Sequence, residues 1–425
     1  MSGTSSLPAE AGVRPRAGSR GYGPMEAGIA SSATTATESE HRAGAPAGWL
    51  PTSFGIFCVT LSAFVAAGAA LPVLPRFVRG PLHAGDLAVG VVMGVFAVSA
   101  VFVRPFAGRW ADRHGRRPVL LIGASLCSIA GALLVAASSV AVVVGARLVV
   151  GAGEGLLFTA ASAWVVDLAP KERRGQVIGM FGLSVWGGMT VGPLIGDQLL
   201  LAAGFRAVWI MIALIPLAGT LIALRLPERW RPPAGQEARS LLPRAVLAPG
   251  AALALANVGY ATLAGFVVLL LAHRGIGHGA FVFTAYAAAV VTSRVLLGRL
   301  PEALGPRGGA ALAGLAEAAG LALIAQADSW QMAVLGAVVM GGGFSLLYPA
   351  LALSVVQAVG EGARASALGG FTAFFDIGVG LGAPATGAIA SVAGYSGAFW
   401  AGAGAALAAG LIAARAPTHP VLIEV

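Results

Sequence analysis

The feature that most constrains this chain is a series of apolar runs, each about as long as a helix that crosses a lipid bilayer. A helix needs about 20 residues to cross the hydrocarbon core. The runs do not alternate apolar and polar residues, as the strands of a membrane β-barrel would. The sequence therefore predicts an all-α integral membrane protein with twelve spanning helices. The twelve runs lie at about 50–74, 87–108, 118–138, 141–167, 175–196, 207–225, 247–272, 280–298, 308–326, 331–357, 365–391 and 395–414.

Composition agrees with a membrane protein and excludes most soluble classes. Hydrophobic residues make up 57% of the chain and charged residues 11%, whereas an ordinary soluble domain is roughly one quarter charged. The mean hydropathy is +0.84. A net charge of +9 would suggest a nucleic-acid partner in a soluble protein, but here the cations lie between apolar runs. We therefore predict no nucleic-acid partner.

The runs divide the chain into five regions. We predict a disordered tail at 1–48, because it is rich in small and polar residues and contains no apolar run. Six spanning helices form an N-terminal bundle at 49–225, and six form a C-terminal bundle at 246–415. A polar linker at 226–245 joins the two bundles, and a short tail follows at 416–425.

The distribution of cations predicts the orientation in the membrane. If the first tail lies inside, the inner loops hold 15 lysines and arginines and the outer loops hold four. Cytoplasmic loops of membrane proteins carry such an excess. We therefore expect a multi-pass protein of the plasma membrane with both termini in the cytoplasm.

The second half of the apolar region repeats the first at a constant interval in sequence, the one that separates Arg104 from Arg294; we call it the repeat offset. At this offset Arg109 matches Arg299, and between Gly108 and Gly192 seven glycines match seven glycines, where chance would supply roughly two. The offset covers six spans and leaves both halves in the same orientation, so the repeat is parallel. Parallel repeats are typical of transporters that rock two halves around a central site.

A charged segment follows the second run. It reads Gly108-Arg-Trp-Ala-Asp112-Arg113-His-Gly115-Arg116-Arg117. These residues resemble the signature loop of the major facilitator superfamily, in which glycine, aspartate and arginine recur at the same spacing. In that family the loop packs against the other half of the molecule and latches the inner face closed. The second half keeps a degenerate copy with Arg294, Gly298, Glu302 and Gly305.

The resemblance implies partners for two of the latch residues. Asp112 would face the start of the eleventh helix, because the N-terminal end of a helix dipole favours an anion. Arg116 would pair with Asp167, at the inner end of the fourth helix. The alternative is an ordinary cation-rich loop in which the aspartate is incidental.

The fifth run carries a regular pattern of small residues. Gly188, Gly192 and Gly196 recur every four residues and give the helix one smooth face. With Gly179 and Pro193 they resemble the family's antiporter motif, which is associated with exporters that exchange substrate for protons. Asp197 stands in the place of the last glycine of that motif. An ordinary close helix–helix contact would need the same small residues.

Ionisable residues inside the runs are candidates for proton coupling, because a charge in the bilayer usually faces a cavity or a partner. Arg147 and Glu154 are two turns apart on one face of the fourth helix. The segment from Arg147 to Gly153 resembles a family motif in which the arginine is linked to proton transfer. The alternative is a permanent ion pair that only orients helices. Asp376, which follows two phenylalanines, is the second candidate proton carrier.

Three polar residues are candidates for substrate binding. In the family the first, fourth, seventh and tenth helices line the cavity, and Asn257, Tyr260 and Tyr348 lie on the seventh and tenth. Hydrogen bonding between helices is an equally good explanation for them. Glu317 lies in the ninth run, and the sequence assigns it no function.

Other classes of function find little support in the sequence. Motifs of metalloproteases, serine hydrolases and P-loop enzymes are absent, and Cys58 and Cys127 lie in separate runs. We predict no enzyme, cofactor, metal or obligatory protein partner. We expect export of a small amphipathic organic compound in exchange for protons. Proton-coupled uptake of a small metabolite and a polytopic lipid scramblase or enzyme are the alternatives.

Overall fold

The structure, a computed structural model, describes residues 49–169, 174–228, 244–297, 300–359 and 364–415. Every regular element in these ranges is helical, which confirms the predicted fold class. The predicted tails at 1–48 and 416–425 and most of the linker lie outside the described residues. The helices are α1 (Trp49–Arg79), α2 (Asp86–His114), α3 (Arg116–Val135), α4 (Val140–Leu168), α5 (Arg174–Ala223), α6 (Leu247–His273), α7 (Gly279–Leu296), α8 (Leu300–Gln326), α9 (Trp330–Ala358) and α10 (Arg364–Arg415).

Two of these helices are long enough to cross a membrane twice. Ten helices in the described part of the chain have the length and composition of a membrane span. Of these, α5 has 50 residues and α10 has 52, and each is interrupted at one glycine. Gly204 has φ 77° and ψ −179°, and Gly394 has φ 71° and ψ 173°, a conformation that glycine alone adopts readily. Two crossings for each of these helices would give twelve spanning segments in the described part of the chain.

The repeat offset recurs in the structure. Helices α4 and α9 begin one repeat offset apart, and so do α5 and α10. The breaks at Gly204 and Gly394 share this offset, as do Gly115 and Gly305, which both have positive φ. The two halves, α1–α5 and α6–α10, therefore repeat in backbone as well as in sequence.

The two halves share a hydrophobic core at one end only. We call the end where α1 begins and α10 finishes the termini end, and the opposite end the far end. The far-end core contains residues of both halves, such as Leu74 and Val89 from the first and Phe266 and Val379 from the second. Toward the termini end the buried apolar residues form two separate clusters, one in each half. The halves thus meet at the far end and part toward the termini end.

Small residues bring α2 and α10 into close contact at the far end. A side chain added at Gly90 would collide with the main-chain oxygen of Ala383 and lie 3.1 Å from Cα of Gly387. The Cβ atom of a side chain added at Gly94 would lie 2.9 Å from Cδ of Pro384. These contacts close the far end of the space between the halves.

We expect Gly90→Leu to open the far end, because the added side chain has no room against the backbone of α10. Spin labels at Leu201 and Val392, which are 73% and 91% exposed in opposite halves, report the separation. In a background without Cys58 and Cys127, electron–electron resonance should show a longer distance in the Gly90→Leu protein.

Gly145→Leu is the matched control, since a side chain at Gly145 meets nothing within 4 Å. The same label distance in all three proteins would show that the contact of α2 with α10 does not close the far end.

Candidate functional site

A cavity of about 370 Å³ lies between the two halves. Its wall combines aromatic rings from both halves with five arginine, aspartate and glutamate side chains, and the far-end core closes one side of it. The lining residues are Phe64, Ala67, Leu71, Met93, Phe96, Arg104, Arg147, Glu154, Phe158, Phe181, Gly182, Val185, Trp186, Met189, Tyr260, Ala261, Ala264, Arg294, Phe344, Tyr348, Thr372, Phe375, Asp376, Val379 and Ala383.

The cavity gathers ionisable residues that are far apart in the sequence. Arg147 and Glu154 of α4 and Asp376 of α10, all predicted from the sequence, share one wall with Arg104 and Arg294. Charges inside a membrane are stable only beside partners or in a polar cavity. The arrangement satisfies this requirement for all five.

Arg104 and Asp376 join the two halves through an ion pair. The Arg104 Nε lies 2.6 Å from one carboxylate oxygen of Asp376, and Nη2 lies 3.2 Å from the other. The Asp376 side chain is 2% exposed. The guanidinium of Arg104 also lies 5.1 Å from the ring centre of Phe158. Sequence reasoning placed Asp376 among phenylalanines and missed Arg104 as its partner, although opposite charges in two spans were a signal.

Arg147 is held by main-chain oxygens. Its Nε donates to the carbonyl of Val92 at 3.0 Å and its Nη2 to that of Met93 at 3.2 Å. Its guanidinium lies 4.5 Å from the ring centre of Phe96. Arg147 therefore ties α4 to α2 and leaves the carboxylate of Glu154 without an ion pair.

Glu154 is the carboxylate of the cavity that has no direct partner. It is half-buried, and no hydrogen bond or ion pair joins it to another residue in the described ranges. Arg147 and Arg104 lie within electrostatic range of it. An acid in this position can exchange a proton with whatever fills the cavity.

The predicted latch segment is mostly helical. Helix α2 continues through Gly108 to His114, the chain turns at Gly115, and α3 begins at Arg116. Arg113 is exposed. Sequence reasoning treated the whole segment as a loop, since its charges interrupt the apolar run.

Arg116 connects three helices of the first half. Its Nη1 lies 2.5 Å from Oδ1 of Asp112, and its Nε lies 3.2 Å from Oδ2 of Asp167. The main-chain N–H groups of Arg116 and Arg117 donate to the carboxylate of Glu228, a residue that the sequence did not single out. The side chains at the start of α10 lie outside the described residues, so the expected approach of Asp112 to that helix remains a prediction.

The glycine face of α5 packs on α1. Side chains added at Gly188, Gly192 and Gly196 would collide with the backbone between Phe64 and Ala69. A side chain at Gly179 would meet nothing within 4 Å.

Two further residues of the α5 pattern contact α1. A Cβ atom added at Gly68 would lie 3.1 Å from Cδ of Pro193. Asp197 forms an ion pair with Arg76, the last arginine but one of α1. The pattern therefore fixes a close contact within the first half and carries an ion pair where the motif ends.

The three predicted substrate-binding residues occupy different surroundings. Tyr260 and Tyr348 line the cavity, and the Tyr348 hydroxyl lies 3.1 Å from Oγ1 of Thr372. Asn257 is fully buried away from the cavity lining, and its amide donates to the carbonyl of Leu253 at 2.8 Å. Glu317 is also fully buried outside that lining, against Gly259.

Comparison with known proteins supports the same architecture. A family model described as Major Facilitator Superfamily matches residues 55–281 and 250–421. An uncharacterized MFS-type transporter of Salmonella typhimurium is 29% identical over 372 residues, which is 84% of this chain and 95% of that one. An uncharacterized MFS-type transporter of Burkholderia mallei is 30% identical over 360 residues, covering 82% of this chain and 88% of that one.

The solved structures agree in fold. The crystal structure of the nucleoside transporter NupG matches with a TM-score of 0.71 at 15% identity, over 85% of this chain and 97% of that one. Family membership implies a transporter rather than an enzyme. With its repeated halves and its charged central cavity, the chain belongs to the Major Facilitator Superfamily.

Proposed function

We propose that the protein exports a small amphipathic organic compound across the plasma membrane in exchange for protons, with both termini in the cytoplasm. The main support for this proposal is that the Glu154 carboxylate lines the cavity between the two repeated halves and has no hydrogen-bond or ion-pair partner in the described ranges. A proton on Glu154 and a substrate in the same cavity are electrostatically linked, and such linkage is what coupled transport requires.

The present conformation supplies one state of an alternating-access cycle. The far end is closed by the shared core and the halves part toward the termini end. With the termini end in the cytoplasm, Glu154 releases its proton inward in this state. In the opposite state it receives a proton from outside. One charge that crosses a potential of 100 mV contributes about 2.3 kcal/mol.

The pair between Arg104 and Asp376 is the proposed gate between these states. It joins α2 and α10 beside the far-end contact, so rotation of one half against the other changes its geometry. Asp376 is the second proposed proton carrier, because it becomes free to bind a proton when the pair opens.

The charged segment from Gly108 to Arg116 is the proposed latch of the opposite state. In the present state, Asp112, Arg116 and Asp167 bind one another within the first half. Closing the termini end would bring this segment toward the second half. That movement is what the resemblance to the family's signature loop implies.

We infer the direction of transport from the residues of α5. Its glycine pattern supports exchange, since it resembles the antiporter motif of the family. Uptake by symport is the second candidate, because Asp197 and its ion pair with Arg76 depart from that motif. Aromatic and apolar side chains dominate the cavity lining, which favours an amphipathic substrate.

We expect Glu154→Gln to abolish transport driven by a pH gradient, because glutamine keeps the size of the side chain but binds no proton. The measurement uses proteoliposomes with an imposed gradient and an internal pH-sensitive dye. A panel of amphipathic compounds is added, and proton flux that depends on a compound identifies a substrate.

Glu317→Gln provides the matched control, since it makes the same change in a spanning helix outside the cavity and should leave flux intact. The proposal fails if Glu154→Gln retains the flux, or if no compound moves protons in either direction. Flux with an inward substrate movement would replace export by uptake.

We expect Asp376→Asn to destabilise the protein by about 3 kcal/mol, because it leaves the Arg104 guanidinium unpaired. This value is at the lower end for buried pairs, since the Arg104 side chain is 22% exposed. The thermal unfolding midpoint in detergent measures the loss. The exchanged variant Arg104→Asp with Asp376→Arg should recover part of it.

Arg79→Gln removes a more exposed ion pair, with Asp86 at 3.3 Å, and should cost less than about 1 kcal/mol. Equal losses for Arg79→Gln and Asp376→Asn, or no recovery in the exchanged variant, would contradict the importance of the pair across the halves.

A further inference from the structure

Arg294 is a cation of the cavity wall that has no carboxylate partner. It lies on α7, and in the described part of the chain no ion pair is formed by it. Its Nη1 would lie 3.7 Å from a Cβ atom added at Gly182 of α5. Tyr348 and Tyr286 lie within electrostatic range. Arg294 is an exposed residue in the last turn of α7, so its guanidinium has room for an anionic complement like the one that Asp376 provides for Arg104.

The internal repeat shows where that complement would be. Arg294 corresponds to Arg104 at the repeat offset, and Tyr348 corresponds to Phe158, whose ring lies beside Arg104. At the same offset, the position of Asp376 in the second half corresponds to Trp186 in the first.

Only one of the two related positions therefore carries an anion. In the pair of α2 and α10, Asp376 neutralises Arg104. In the related pair of α7 and α5, an indole stands where the carboxylate would be, one helical turn after Gly182. The replacement removes a negative charge and adds an aromatic surface inside the cavity.

We propose that the substrate supplies the missing anion: Arg294 binds a carboxylate, or a similar anionic group, of an aromatic compound whose ring packs against Trp186. This inference rests on the proposed function, because it takes the central cavity to be the substrate site. A guanidinium presents two parallel N–H groups to a carboxylate. The same group also stacks on aromatic rings, as Arg104 does on Phe158.

The aromatic surroundings of Trp186 fit the apolar part of such a compound. The indole lies edge-on to Phe344, with 5.8 Å between ring centres, and 6.3 Å from the ring of Tyr286. Tyr260 stacks on Phe344 at 5.9 Å. These rings belong to both halves, so a bound aromatic compound contacts both parts that must move.

Binding of 2-naphthoate and of uncharged 2-naphthamide to the purified full chain in neutral detergent tests the proposal. We expect 2-naphthoate to bind at least about tenfold more tightly than the amide, which corresponds to about 1.4 kcal/mol. Arg294→Gln should remove this preference, and Arg294→Lys should keep part of it. Arg206→Gln, an exposed arginine outside the cavity lining, should leave it unchanged.

Trp186→Asp is the most specific variant, because it restores the carboxylate that the repeat lacks. The new side chain should pair with Arg294 and abolish naphthoate binding, while the thermal unfolding midpoint stays at or above that of the unchanged protein. Added phosphatidylglycerol should not compete with naphthoate; competition would assign Arg294 to a lipid headgroup and overturn the proposal.

Absence of a preference for naphthoate over the amide, or a preference that survives Arg294→Gln, would also overturn the assignment. The binding assay contains no proton gradient, so such a result leaves the proposed coupling through Glu154 untouched. Conversely, loss of proton-driven flux with an intact naphthoate preference would overturn the proposed function and leave the anion site in place.

Discussion

The structure depends on the cost of charge in an apolar medium. A charged side chain in a membrane-spanning helix costs several kcal/mol unless a partner or a polar cavity receives it. Among the described residues, Arg104, Arg147, Glu154, Arg294 and Asp376 all reach the one cavity that separates the halves. The same constraint explains why apolar and small residues make up most of the remaining helix surfaces, including the close contact of α2 with α10 at the far end.

The charge of the substrate determines which direction of coupling this cavity supports. An anion on Arg294 and a proton on Glu154 lower each other's electrostatic cost, so a simple anion binds together with the proton and favours co-transport. The proposed exchange is therefore consistent with the Arg294 site only for a compound that also carries a cationic group, which reaches Glu154 and displaces its proton. A compound with the carboxylate alone would support the second candidate, uptake with protons. Arg104 is already neutralised by Asp376. The charge of the compound that enters the cavity therefore determines the electrostatic environment of Glu154 and Arg294.

Much of the fold could be predicted from sequence. The length of each apolar run is read within one segment, and the parallel repeat is read by aligning the two halves of the sequence. The gaps between the predicted runs at 196–207 and 391–395 contain the breaks at Gly204 and Gly394, but the sequence analysis did not single out these two glycines. Contacts between segments that are distant in sequence could not be predicted, because they depend on how each helix is rotated about its axis. Examples are the pairing of Asp376 with Arg104, the carbonyls that bind Arg147, and the contact of the Glu228 carboxylate with the start of α3. For the same reason Asn257 was expected in the cavity, whereas it is buried outside the cavity lining.

Under the proposed function, the protonation state of Glu154 sets which end of the molecule is open. Spin labels at Leu224 and Gln357, exposed positions at the termini end of opposite halves, measure the opening without knowledge of the substrate. The account predicts that the distance between them changes as the pH passes from acid to alkaline, and that Glu154→Gln holds it at one value. The same pH-dependent change in the Glu154→Gln protein, or a constant distance in the unchanged protein, would contradict it.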